Sequence, residues 1–301
     1  MQMGTLAIVR PPTAGDNELA SRLAKGFEDA SHGVAIYASP ELRATDTEVL
    51  GDATLLVASP GRCIETSGDE TEFLSKVAGA NKRILASVGP VDSPSYKRRL
   101  EKGIDFDAVF DLGFASQRDD HTEVSDVPYH FVFNGPITDE EPVAEEPANQ
   151  QDRTIPWVLM GPKSDGNKNV LAELFEHEVD PGGFCLLQGR ARIMAEPLLG
   201  SKGLAAVLAR ARYYLWGADR DAGYYESFRF MAPLLAGTVP CKIDPDLASE
   251  APDIPGVYPS VSAFRAEAEA EGYLALYRRA RDFYVARGRL AEHLSGALAL
   301  V

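Results

Sequence analysis

Short apolar runs alternate with amphipathic stretches along most of the chain, and that alternation predicts an α/β protein. Leu6 to Val9 reads as a strand, apolar residues recur at helical spacing from Asn17 to Ala30, and Val34 to Tyr37 reads as the next strand. Thr54 to Ala58, Arg83 to Val88, Ala108 to Phe110 and Tyr129 to Phe133 extend the series, with helices expected at Glu70 to Ala80 and Ser95 to Lys102. Continuous apolar runs mark strands buried on both faces, so a parallel sheet is expected.

The pattern stops between Ile137 and Arg153, where Asp139, Glu140, Glu141, Glu145 and Glu146 are interleaved with Pro142, Pro147, Asn149, Gln150 and Gln151. Little in this stretch can be buried, and it reads as a solvated acidic linker. A second series follows: strand Ile155 to Met160, helix Asn167 to His177, strand Phe184 to Gln188, helix Lys202 to Ala211 and strand Tyr213 to Trp216. A long helical region from Val261 to about Leu298 closes the chain, with Phe264, Tyr273, Leu276, Tyr277, Phe283, Leu290 and Leu294 at roughly helical intervals. The expected organisation is a Rossmann-like domain at 1–136, a linker at 137–153 and a second Rossmann-like domain with terminal helices at 154–301, the two facing a cleft.

Composition narrows the function classes. A length of 301 residues suits two domains, and 45% hydrophobic with 25% charged residues describes an ordinary globular chain. No apolar run reaches the roughly 20 residues of a membrane span, and no secretory signal pattern opens the sequence, so a cytoplasmic protein is expected. A net charge of −15 argues against general nucleic-acid binding, which needs clustered Lys and Arg. Cys63, Cys185 and Cys241 are too few and too scattered for a disulfide framework or zinc cluster, and no histidine pair has metal-ligand spacing.

The stretch Trp216 to Pro240 carries the strongest functional signal. It runs from a strand end through an acid- and glycine-bearing loop into an amphipathic helix and a glycine turn. In open α/β sheets, ligands sit at the carboxyl ends of strands, where helix N-termini point. Within it, Tyr224-Tyr225-Glu226-Ser227-Phe228-Arg229-Phe230-Met231-Ala232-Pro233-Leu234-Leu235-Ala236-Gly237-Thr238-Val239-Pro240 resembles the donor-site helix and turn of GT-B-fold glycosyltransferases. The likeness is greatest to the spore-protein glycosyltransferase-like and group 1 families, and Arg279 to Phe283 with Arg289-Leu290 resembles that family's ending. In layout it covers about residues 155 to 295.

The resemblance implies transfer of a sugar from a nucleotide-sugar donor, held mainly by the second domain, to an acceptor of unknown identity. It implies no metal and no cofactor beyond the donor substrate. A diphosphate leaving group needs cations or helix-start N–H groups. Arg229, Arg190 and Arg192 are candidates, with Gly161, Lys163 and Lys168 in the loop after the first strand of this domain. Glu226 is a candidate hydrogen-bond acceptor for a ribose or sugar hydroxyl, or a first-turn glutamate favoured by the helix dipole. Tyr225, Ser227 and Phe228 complete the expected donor-binding set, Tyr224 and Tyr225 as stacking or packing residues. Asp219 and Asp221 read as loop or cap residues.

Ala232 stands where many members of the family carry a second glutamate, and Pro233 is expected to kink the helix. An inverting reaction needs a base, for which Asp16 and Asp92 are the candidates, with His32, His121 and His130 as alternatives. Gly161 to Lys168 lacks the residue order of a phosphate loop, and no Gly-x-Gly-x-x-Gly follows the first strand. A silent nucleotide- or sugar-binding relative and a nucleotide-sugar epimerase remain alternative readings.

Overall fold

A computed structural model of the chain describes residues 6–12, 14–88, 103–113, 127–138, 143–147, 150–189, 201–218 and 224–301, with backbone alone at 14–17, 47 and 201. The chain divides into two compact units, Met1–Glu140 with Gly288–Val301, and Glu141–Arg287.

The first unit is a six-stranded, all-parallel sheet in the order β2-β1-β3-β4-β5-β6. Its strands are β1 (Leu6–Arg10), β2 (Val34–Ala38), β3 (Thr54–Ala58), β4 (Lys82–Ser87), β5 (Ala108–Asp111) and β6 (Tyr129–Phe131). Ile8, Val9, Leu55, Leu56, Ile84 and Val109 are sealed from solvent, as continuous apolar runs require when both faces are covered. The covering helices are α1 (Ala14–Asp29), α2 (Ser39–Ala44), α3 (Thr47–Gly51), α4 (Pro60–Thr66) and α5 (Glu70–Ala78). Asp46 and Asp69 cap α3 and α5, accepting from the Glu48 and Glu72 N–H groups. The helix expected at Ser95 to Lys102 lies outside the described residues.

The second unit is a five-stranded parallel sheet in the order β11-β10-β9-β7-β8. It comprises β7 (Ile155–Pro162), β8 (Phe184–Gln188), β9 (Ala211–Gly217), β10 (Val239–Ile243) and β11 (Val257–Tyr258). The helices are α6 (Asp165–Glu176), α7 (Ser201–Leu208), α8 (Ser227–Leu235), α9 (Pro245–Glu250), α10 (Val261–Glu271) and α11 (Tyr273–Ala286), and α12 (Leu290–Leu298) follows in the first unit. The structure thus has the expected class: two parallel α/β units and a long C-terminal helical run.

Four local expectations change. The turn expected at Gly237 to Pro240 passes directly into strand β10. Pro240 is tolerated there because its missing N–H falls on the β11 side, where pairing begins only at Lys242. The single helical region from 261 to 298 is three helices, interrupted at Gly272 (φ 79°) and Gly288 (φ 86°), backbone that glycine adopts without a Cβ penalty.

The last helix packs on α1 rather than with residues 154–287. Gly26 leaves room for Leu290 and Leu294, whose side chains would stand 2.8 Å from any added Cβ. Finally, the acidic stretch is anchored at points along its length, while its described acids Glu145, Glu146 and Asp152 stay exposed as expected. Val143, Pro147 and Arg153 are buried, and Tyr277 Oη donates to the Ala144 carbonyl at 3.1 Å.

Candidate functional site

The chain adds β8 on one side of β7 and then crosses to place β9 on the other. The carboxyl ends of β7 and β9 therefore flank a topological switch point, where open α/β sheets bind ligands. Backbones come close there. A methyl on Gly166, in the first turn of α6, would fall 1.7 Å from the Ala218 carbonyl oxygen, and one on Gly217 would fall 2.3 Å from the Gly166 oxygen. Only glycine lets the α6 N-terminus approach the end of β9 so closely.

Asn167 secures this crossing. Wholly buried, it donates through Nδ2 to the Pro162 carbonyl at 2.8 Å and accepts from the Gly217 N–H at 2.9 Å. Ser164 caps the same helix, accepting from the Asn167 N–H. The positive end of the α6 dipole is thereby fixed at the switch point.

Arg229 reaches the same place from α8. Gly161, second to last in β7, has a φ of 151°, and a Cβ there would stand 3.3 Å from both Arg229 Nη2 and Asn167 Nδ2. One cation, one amide and one helix N-terminus thus converge on a glycine at a strand end. That arrangement suits an anion such as phosphate.

Glu226 is the N-cap residue of α8, yet its side chain makes no cap hydrogen bond. It turns toward the sheet, where Oε2 accepts from Trp216 Nε1 at 3.0 Å and lies 3.2 Å from Lys242 Nζ. Burial alone would push the Glu226 pKa up. The charges of Lys242 and Arg229 and the Trp216 hydrogen bond outweigh it and hold the carboxyl below its ordinary 4.5.

The other end of α8 closes in a Schellman turn. The Thr238 N–H donates to Pro233 O at 2.8 Å and the Gly237 N–H to Leu234 O at 2.9 Å, with Gly237 at φ 77°. Pro233 lies inside the helix with only two residues after it, and its missing N–H would have donated to the Arg229 carbonyl four residues earlier.

The remaining candidates separate by place. Tyr225 is fully buried, edge-on to Trp216 and Phe230 with ring centroids 5.3 and 5.5 Å apart. Its ring is core rather than a surface presented to a ligand. Tyr224 and Ser227 are also buried, and Phe228 is half-buried. Lys163 and Lys168 are exposed, and Lys168 pairs with Asp165 at 2.6 Å on the same helix. Such surface pairs contribute little.

Asp16 lies in the first turn of α1, which follows β1. His32 packs edge-on to Phe27 and His130 edge-on to Phe110, and burial pushes the His130 pKa down. Arg190, Arg192, Asp92, His121, Asp219 and Asp221 lie outside the described residues. Asn167, Trp216, Lys242 and Asp244 are site neighbours that sequence reasoning misses. The available signal was a lysine inside the strand-like run Val-Pro-Cys-Lys-Ile. Among the described residues, no group of three or more His, Cys, Asp or Glu side chains is placed to hold a metal, and no helix is long and apolar enough to cross a membrane.

No protein-family model matches the chain, and no curated protein matches it. Solved structures do. An alpha-glucosyltransferase in complex with UDP and a 13-mer DNA containing a HMU base superposes with a TM-score of 0.61 at 9% identity, over 98% of each chain. An alpha-glucosyltransferase in complex with UDP-glucose and DNA containing an abasic site gives 0.51 at 10%, over 96% of this chain and 94% of that one. Arabidopsis thaliana UGT89C1 complexed with UDP-L-rhamnose gives 0.50 at 10%, over 99% of each. Identities this low establish architecture and leave the chemistry to the residues. The chain has the fold of these proteins, the two-unit parallel α/β architecture called GT-B.

Proposed function

We propose that the protein is a metal-independent glycosyltransferase of the hexosyltransferase type, using a nucleotide-sugar donor bound by the second unit. The observation that carries this reading is the convergence of Arg229, Asn167 and the α6 N-terminus on Gly161 at the switch point of the second sheet. In the proposed complex the donor diphosphate lies against Gly161. Arg229 and the α6 dipole counter the charge that develops as the sugar leaves. Glu226, ionised at neutral pH, accepts a hydrogen bond from a ribose or sugar hydroxyl. It takes the place of the family glutamate missing at Ala232, in a site of the kind found in spore-protein-like and group 1 enzymes.

The first unit supplies the acceptor side. Asp16 follows β1, which lies between β2 and β3 at that sheet's own switch point, and it is the proposed base of an inverting reaction, with Asp92 as the second candidate. UDP and UDP-glucose in the similar structures favour a uridine diphosphate donor. A nucleic-acid acceptor is disfavoured by the net charge of −15. Three free thiols fit a reducing, cytoplasmic setting.

Calorimetry with uridine, guanosine, adenosine and thymidine diphosphates tests the reading. Saturable binding of one nucleotide, unaltered by a chelator, is expected, together with slow hydrolysis of the matching nucleotide-sugar in the absence of acceptor. Binding without turnover of any donor would favour the silent-relative reading. No binding across the panel would remove the nucleotide site altogether.

A further inference from the structure

Lys242 is 2% exposed, in strand β10, whose first two residues fall in the turn expected at Gly237 to Pro240. An ammonium carries three N–H donors. Three acceptors meet this one: the Tyr224 carbonyl, Glu226 Oε2 at 3.2 Å and Asp244 Oδ2 at 3.1 Å. Asp244 also caps α9 through its other oxygen, accepting from the Leu247 N–H at 3.0 Å. Lys242 thus ties the residues leading into α8 to the end of β10.

The charges do not balance within that trio. Two carboxylates face one ammonium, which leaves one negative charge in excess in a poorly solvated place. Arg229, three residues after Glu226 on the same helix, is the second cation whose field reaches that carboxylate. A diphosphate arriving at Gly161 therefore competes with Glu226 for one guanidinium, and the strength of the competition depends on how well Lys242 satisfies Glu226.

We propose that Lys242 is a positioning residue of the ligand site: by holding Glu226 against β10 it keeps that carboxylate from competing with an incoming diphosphate for Arg229. The proposal rests on the donor-site reading for where the diphosphate lies. Lys242 touches no ligand and acts through Glu226. Its loss turns Glu226 into a competitor for Arg229.

Inorganic pyrophosphate is the probe, because it carries the diphosphate charge but no ribose or sugar for Glu226 to bind. In calorimetry on the full chain, K242M is expected to weaken pyrophosphate binding about tenfold. Adding E226Q is expected to restore it to within about threefold of wild type, the coupling that contacting residues show in double-mutant cycles. A merely structural lysine predicts that E226Q leaves the K242M defect unchanged or deepens it, and that result overturns the proposal. Unaltered affinity in folded K242M overturns it as well, as does a wild-type chain that binds no pyrophosphate.

If K242M does not fold, K242M/D244N against K242M/D244N/E226Q makes the same comparison. Asparagine keeps the α9 cap while removing the other unpaired carboxylate. Uridine diphosphate titrated alongside separates the two readings. A working pyrophosphate cycle with no added affinity from the nucleoside supports the Lys242 role and counts against the donor site. Nucleotide binding with no cycle overturns the Lys242 role alone.

Discussion

The two ends of α8 are each held by a buried cation, and the two cations do different things. At the C-terminal end, Arg153 is 3% exposed and donates to the Ala211 carbonyl at 2.6 Å and the Ala236 carbonyl at 2.7 Å, with a longer contact of 3.4 Å to Thr238 Oγ1. Its guanidinium lies 5.7 Å from the centre of the Tyr273 ring, and burial pushes its pKa down. These acceptors are neutral. The arginine answers the orphan carbonyls of a helix end, which is a structural task.

At the N-terminal end, Lys242 meets two carboxylates beside a strand-end glycine and a second cation. Neutral acceptors make a closed joint, whereas two carboxylates set among two cations make a place where an incoming anion changes the balance. Burial of a charge does not distinguish structure from function here. The sign of its partners and the nearness of a strand end do.

The largest expected effect falls at the structural end. R153A removes the donor to the half-buried Ala236 carbonyl and leaves the Ala211 carbonyl with Thr238 Oγ1 at 3.2 Å, so a loss of about 1–3 kcal/mol is expected in urea unfolding. Nucleotide affinity of the folded fraction should not change. A parallel loss of affinity at constant stability would erase the distinction between the two ends.

A smaller effect is expected from E226Q, and it should depend on pH. The folded-state pKa of Glu226 lies below its ordinary 4.5, so its ionised form contributes stability that is present above 4.5 and lost as pH falls through the lower folded value. At pH 7 the variant should melt lower than wild type by the equivalent of about 1 kcal/mol. The two curves should converge as pH drops below 4.5. A gap that stays constant or widens on acidification would mean that Glu226 is not held ionised by its neighbours.

Sequence legibility follows the same physics. Thr54–Ala58 and Phe184–Gln188 are found with their bounds because an uninterrupted apolar run between turn signals has few other uses. β10 is missed because Pro240 and Lys242 break such a run, and both are tolerated only through tertiary context. The short β11 leaves Pro240 unpaired on that side, while two carboxylates, one of them 16 residues earlier in the chain, accommodate Lys242. The Gly272 and Gly288 breaks are hidden because helical periodicity resumes after each interruption.

Arg153 is invisible inside an acidic, proline-bearing stretch, since its partner Ala236 is 83 residues away. Within the candidate site, Glu226 and Arg229 are singled out by the resemblance of their helix, and the structure places Arg229 beside Gly161 and Glu226 on Trp216 and Lys242. The neighbours Asn167, Trp216 and Lys242 are not legible, because each acts through a contact between elements that no local pattern encodes.

The central claim is that Arg229 meets the diphosphate of a nucleotide-sugar at the end of β7. The most direct test is calorimetric titration of wild type and R229A with the best-binding nucleoside diphosphate, alongside thermal melting of both. The account predicts an affinity loss of about tenfold or more, the worth of a charge-assisted hydrogen bond, with a melting temperature changed by only a few degrees. Unchanged affinity in a folded R229A would contradict it.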